Sequence, residues 1–213
     1  MSDLEPIRES ILIAAISGSL GMVNYTRMAV VVALRGAAEV GAQVRLLDLR
    51  DYELAFCDGR LDERTYPPDV FRLRHDVQQA HGIILGTPTY HGGYSGVLKN
   101  ALDLMGFDEF EGKMIGLVGI SGGRAGAMDA LDCLRAVGRA LHAWVVPEQV
   151  GIAEVGRVFD RSSGAISDAE LEGRLLAVGR QVARFAYLHS SRRALEFLKA
   201  WEEAPINPGG PDR

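Results

Sequence analysis

The chain has 213 residues, 47% of them hydrophobic and 24% charged, with a formal net charge of −5 and a pI near 5.6. That length and composition suit one compact domain with a substantial core and exclude a fibrous or disordered chain. The acidic balance argues against DNA or RNA as the main partner, which calls for a clustered cationic face, and no run approaches the roughly 18 to 20 apolar residues that span a bilayer.

The opening "MSDLEPIRES" is acidic and polar and does not read as a signal peptide. Short apolar runs then alternate with longer helical patterns. "ILIAAI" (11–16) and "QVRLLDL" (43–49) read as the first two strands, and "GIILG" (82–86), "KMIGLVGI" (113–120) and "AWVVP" (143–147) as the next three. Helices are expected at about 26–40, 69–80, 94–105 and 124–142. A fifth starts at Ser167, where "SDAE" has the form of a capping box, and runs to about 188. Apolar strands alternating with helices predict an α/β fold with a parallel sheet covered on both faces. Five strands suit the flavodoxin-like order 2-1-3-4-5 in a three-layer sandwich. The domain is expected over residues 1–190. Residues 191–213 form an extension, with "SRRALEFLKAWEE" an amphipathic helix and "APINPGGPDR" a frayed tail.

Cys57 and Cys133 are too few for a disulfide framework and match no zinc spacing, so a reducing cytoplasm is the expected compartment. Cys133, mid-helix, reads as a small core filler, whereas Cys57 lies in a polar loop.

In a doubly wound sheet, ligands sit beyond the carboxyl ends of the strands, and three of those ends carry unusual residues. Ser17, Gly18 and Ser19 leave strand one, with Asn24 and Thr26 at the start of the next helix. Such groups can cradle an anion, or simply cap a helix after a tight turn. After strand three, Thr87, Pro88, Thr89, Tyr90, His91, Gly92 and Gly93 combine a fixed proline, flexible glycines, polar edges and one aromatic ring. This segment could border a planar heterocycle or form an ordinary strand–helix turn. After strand four, Ser121, Gly122 and Gly123 expose backbone N–H groups beside Arg124, suited either to negative charge on a ligand or to turning the chain. Three such loops on one sheet edge favour a cofactor site over any of the bland readings.

These loops are similar to those of the NADPH-dependent FMN reductase family, which includes quinone and azo-dye reductases. The resemblance covers "ISGSL…NYTR", "SGGRAG" and above all "TPTYHGGYSGVLKNALD", which resembles the family's "TPEYNGSIPGVLKNALD", and it runs from about residue 11 to 188. It implies FMN as cofactor, with Ser17, Ser19, Asn24 and Thr26 at the phosphate. Pro88, Thr89, Tyr90, His91 and Gly92 would border the ring, and Ser121, Gly122 and Gly123 its pyrimidine end. It further implies NADPH or NADH as hydride donor, a small-molecule acceptor (free flavin, quinone or azo compound), and a homodimer or homotetramer to which the helix after His91 contributes.

Gly21 stands where many members carry a phosphate-facing arginine, and Thr89 and His91 replace glutamate and asparagine. The flavin carries the chemistry, so no residue is assigned as acid or base; Tyr90 and His91 are candidate proton donors or ring neighbours only. Arg124 could attract a nicotinamide 2′-phosphate or lie solvated. The long segment 51–68 is expected to shape flavin retention or a subunit contact. Two rivals remain. One is a Rossmann dehydrogenase using Asp48 on a ribose, although the G-x-G-x-x-G pattern is incomplete. The other is a non-catalytic flavodoxin-like electron carrier or FMN-sensing module.

Overall fold

The structure is a computed structural model that describes residues 10–204. Elements follow in the order β1 (Leu12–Ser17), α1 (Tyr25–Glu39), β2 (Gln43–Asp48), α2 (Pro68–Gln78), β3 (Gly82–Tyr90), β4 (Gly93–Tyr94), α3 (Gly96–Asp103) and α4 (Phe107–Phe110). They continue with β5 (Met114–Ile120), α5 (Met128–Ala140), β6 (Trp144–Ile152), α6 (Val155–Val158), α7 (Ala169–Ser190) and α8 (Arg192–Glu203). The five long strands pair in parallel in the order β2-β1-β3-β5-β6. Counted as parallel strands, this is the expected 2-1-3-4-5 of a flavodoxin-like sheet.

Two apolar layers cover the sheet. On one face, Ile13, Ala15, Ile84 and Val118 meet α1 and α7 through Val30, Ala33, Val178 and Val182. On the other, Ile16, Ile83, Leu85 and Leu117 meet α2, α3 and α5 through Leu73, Leu98, Leu131 and Leu134. The central strands β1, β3 and β5 are largely apolar because both faces are buried, whereas the edge strands β2 and β6 carry polar, partly exposed residues. Helices α1 and α7 come into backbone contact at two glycines. A Cβ on Gly179 would lie 1.7 Å from the Ala33 carbonyl oxygen, and one on Gly36 would lie 2.1 Å from that of Leu176.

Several boundaries differ from expectation, each for a local reason. Strand three runs on to Tyr90 because it turns back on itself: Thr89 and Tyr90 pair antiparallel with Tyr94 and Gly93, adding a short sixth strand. The two turn residues, His91 and Gly92, have φ of 52° and 78°, the left-handed values that two-residue hairpins demand. The following helix therefore starts at Gly96, where Ser95 Oγ accepts from Leu98 N–H. The predicted helix 124–142 begins only at Met128, and β6 extends to Ile152 rather than 147. The capping residue of α7 is Asp168, not Ser167. Its carboxylate accepts from Leu171 N–H, while Ser167 Oγ donates to Val158 C=O. Cys133 is exposed, not a core filler: α5 buries Ala130, Leu131, Leu134 and Gly138, and Cys133 falls on the opposite face. Helix α8 forms as expected behind the Ser191 cap. The opening residues 1–9 and the tail 205–213 lie outside the described residues. Among the described residues, no helix is long and apolar enough to cross a membrane.

Candidate functional site

The site begins where β1 and β3 end side by side. Ser17 is in register with Gly86 on one side and Asp48 on the other. The β1–α1 turn then leans on β3: Gly18 N–H donates to the Gly86 carbonyl at 2.9 Å, and Ser95 Oγ donates to the Gly18 carbonyl at 2.6 Å. Gly18 has no room for a side chain, since a Cβ would lie 2.7 Å from Leu98 Cβ and 2.8 Å from the Gly86 oxygen. Thr87 closes the stitch, its Oγ1 accepting from Ser95 N–H at 2.9 Å. The first two predicted loops are thus one hydrogen-bonded unit. The third is their neighbour, because Pro88 pairs with Ile120 in the sheet register.

Within the first loop, some polar groups serve the fold and some do not. Asn24 spends both ends of its amide locally: Nδ2 donates to Ser19 C=O, and Oδ1 caps α1 by accepting from Arg27 N–H, each at 2.9 Å. Ser19 Oγ accepts from Gly21 N–H at 3.3 Å. By contrast, Ser17 Oγ, Thr26 Oγ1 and, from the second loop, Thr89 Oγ1 are buried with no partner in the protein. Ser17 and Thr26 are both 0% exposed. A buried hydroxyl without a partner costs stability, so each calls for an explanation. Here the orphans stand at the carboxyl end of a central strand and in the first turn of a helix, where backbone dipoles favour an anion.

The third loop is built on its own serine. Ser121 N–H donates to Ile152 C=O at 2.8 Å, its carbonyl accepts from Val155 N–H at 3.0 Å, and its hydroxyl accepts from Gly123 N–H at 3.1 Å. Gly122 is left facing open space, with nothing within 4 Å of where a Cβ would stand. Arg124 and Arg157 both engage Glu154, at 3.6 and 2.9 Å.

Between the first two loops lies a cavity of about 430 Å³, walled by Leu20, Leu49, Tyr52, Leu54, Phe56 and Tyr90. Sequence reasoning named Tyr90 but none of the other five. The segment after β2 reaches the site because Asn100 of α3 pins it: Nδ2 donates to Ala55 C=O, and Oδ1 accepts from Cys57 N–H, both at 2.9 Å. The Tyr52 phenol donates to Asp76 at 3.0 Å, and burial followed by that carboxylate pushes its pKa well above the usual tyrosine range. Asp48 is not available as a ribose ligand. Arg50 holds it through Nε and Nη2, at 2.6 Å for the shortest contact, and Arg27 stands 3.5 Å away. Among the described residues, no group of three or more His, Cys, Asp or Glu side chains could hold a metal ion.

The arrangement sets buried, unpartnered hydroxyls and a partly apolar cleft at the carboxyl rim of a 2-1-3-4-5 sheet. The model of the NADPH-dependent FMN reductase family matches residues 11–156, which include all three loops. The chain belongs to that family. Among curated relatives, an FMN-dependent NADPH-azoreductase of Staphylococcus saprophyticus is 41% identical over 86 residues, 40% of this chain and 45% of the relative. Its counterpart from Staphylococcus aureus strain USA300 is 46% identical over 78 residues, 37% of this chain and 41% of the relative. The chain thus spans less than half the length of the curated relatives it matches. Among solved structures, the flavoenzyme FerB of Paracoccus denitrificans, an NAD(P)H:acceptor oxidoreductase, superposes with a TM-score of 0.66 at 22% identity. That match covers 84% of this chain and 98% of FerB, and it speaks to fold alone.

Proposed function

We propose that this family member is an NAD(P)H-dependent flavin reductase that holds FMN at the carboxyl rim of its sheet. The observation that carries this reading is the pair of fully buried, unpartnered hydroxyls, Ser17 and Thr26, flanking an otherwise well-bonded turn at a helix start. Bound there, FMN would take a hydride from NADPH or NADH and return the electrons to a small second acceptor, such as a free flavin, a quinone or an azo compound.

The chain's part in that chemistry is to bind, orient and shield. Ser17, Thr26 and Ser19 offer hydroxyls to the phosphate, and Asn24 holds the turn in shape by bonding both Ser19 and the helix start. Pro88, Thr89, Tyr90, His91 and Gly92 border the ring. The tight hairpin at His91–Gly92 fixes where Tyr90 stands, and Thr89 keeps a hydroxyl uncommitted. At Ser121–Gly123, the first and third N–H groups are bonded within the loop or to β6, leaving Gly122 N–H for a ligand atom that gains negative charge. The apolar wall formed by Leu20, Leu54 and Phe56 displaces water from one side of the site.

We assign the reductase unit to residues 1–190 and treat 191–213 as an extension. A homodimer or homotetramer is our reading of the assembly. Its support is the set of exposed apolar side chains in the β1–α1 turn and the segment after β2, Met22, Phe56 and Leu61 among them. Two exposed free thiols, Cys57 and Cys133, suit the reducing cytoplasm. The test is a visible absorption spectrum of protein titrated with FMN, followed by NADPH and NADH oxidation with flavin, quinone and azo acceptors. Failure to bind FMN, or binding without turnover on any acceptor, overturns the reading.

A further inference from the structure

Between Ser17 and Thr26 the chain carries no charged side chain. The next residue, Arg27, lies 3.5 Å from Asp48, a carboxylate that Arg50 also grips at 2.6 Å. A phosphate seated on the two orphan hydroxyls would therefore meet only dipoles from its own loop. A doubly charged monoester gains from a cation at such a place.

One cation approaches the start of the same helix from far along the chain. Residues 160–165 form a loop closed by the antiparallel bridge between Phe159 and Ile166. Asp160 sits at its base and accepts from the N–H groups and hydroxyls of Ser162 and Ser163, at 2.6 to 3.0 Å. Those bonds hold its carboxyl well below the usual range, and they commit its charge inside the loop. The loop rests on α1. Phe159 packs against Tyr25 with ring centroids 6.3 Å apart, and a Cβ on Gly164 would lie 3.5 Å from Met28 Cγ. Arg161 is thereby placed with its Nε donating to the hydroxyl of Tyr25, the first residue of α1, at 2.9 Å across 136 residues of sequence. Among the described residues, no carboxylate stands within 4.0 Å of its guanidinium. A tie through Nε leaves both terminal nitrogens to a ligand.

We propose that Arg161 is a phosphate-recognition residue. It supplies from the α6–α7 loop the positive charge that the β1–α1 turn lacks, and it reads the phosphate monoester of FMN. The inference rests on the flavin reading given above and adds a specificity residue to it.

The experiment titrates flavin-free wild type, Arg161→Ala and Arg161→Lys with FMN and with riboflavin, which lacks the phosphate, following flavin fluorescence. Loss of a charge-assisted bond at an exposed side chain should raise the Kd for FMN about tenfold in Arg161→Ala, leave that for riboflavin within about twofold, and be partly restored by lysine. The KM ratio of NADPH to NADH should not move. Equal losses for FMN and riboflavin would show that Arg161 only braces its loop, and would overturn the proposal. A collapsed NADPH preference with intact FMN affinity would reassign Arg161 to the nicotinamide phosphate and also overturn it. Wild type that prefers FMN while Arg161→Ala prefers it equally sinks this inference alone. Wild type that binds neither flavin sinks the flavin reading with it.

Discussion

Removing the orphan hydroxyls should act in opposite directions on the free and the flavin-bound protein. Thr26→Val keeps the side-chain volume at a fully buried position in the first turn of α1, and Ser17→Ala trims one atom at the end of β1. Neither hydroxyl has a protein partner to lose. A buried polar group left unpaired costs about 1–3 kcal/mol, so each substitution should stabilise the flavin-free protein by about 1 kcal/mol. For a chain of this size that corresponds to a Tm higher by about 2–4 °C. With FMN bound, the same hydroxyls donate to a charged group, and losing one such bond costs about 1.5 kcal/mol or more, roughly a tenfold rise in Kd. The double variant should fall short of the product of the two effects, because both hydroxyls serve one phosphate. Thermal melts of flavin-free protein and FMN titrations decide the matter. If either variant melts lower than wild type without flavin, its hydroxyl serves the fold and the site loses its carrying observation. If both melt higher yet bind FMN as before, the phosphate sits elsewhere.

Other substitutions probe the scaffold and the remaining loops. His91→Asn should raise Tm by about 1–3 °C, because asparagine tolerates the left-handed φ of 52° at lower cost than histidine; an unchanged or lower Tm would mean the imidazole makes up for its backbone strain. Gly122→Val should leave stability within about 0.5 kcal/mol, since its Cβ would meet nothing within 4 Å, while lowering turnover; full activity would remove the third loop from the site. Gly179→Ala should cost about 3 kcal/mol or more in urea denaturation, because the Ala33 carbonyl 1.7 Å from the new Cβ is backbone and cannot step aside; a midpoint near wild type would refute the tight α1–α7 contact. His81 Nδ1 accepts from Leu12 N–H at 3.0 Å and must be unprotonated to do so. Burial, with help from the charge of Lys113, lowers its pKa below the ordinary 6.5. The unfolded chain therefore takes up that proton first, and stability should fall as pH drops from about 6.5 through the folded value. His81→Gln should flatten that part of the profile, and an unchanged slope would place the effect on another group.

The sheet was legible in the sequence because its signal is local and repeated: each apolar run is bounded by glycine or polar residues, and order 2-1-3-4-5 is the arrangement that five such strands commonly adopt. Where expectation slipped, long-range contacts decided the outcome. Nothing near Gly86 announces that strand three continues, although "YHGGY" has the form of a two-residue hairpin, with histidine at a position where asparagine or aspartate is the familiar signal. Cys133 looked apolar enough for a core, and only the packing of α5 through Leu131 and Leu134 put it on the outer face. The wall formed by Tyr52, Leu54 and Phe56 depends on Asn100, some forty residues away in sequence, to bring its segment over the site.

The residue types in the β1–α1 turn do not reveal how the work is divided among them. Gly18, Asn24 and Ser95 join strand, turn and helix into one unit, so their polar groups are consumed by the fold. Ser17 and Thr26 have the same chemistry and comparable burial, yet they end with nothing to bond. A turn needed only for connection would carry alanine and valine at those two places and be more stable for it. The chain keeps hydroxyls there without partners of their own, as a cradle for the proposed ligand would require. A helix start favours an anion at that place, as the phosphate of the proposed FMN would supply.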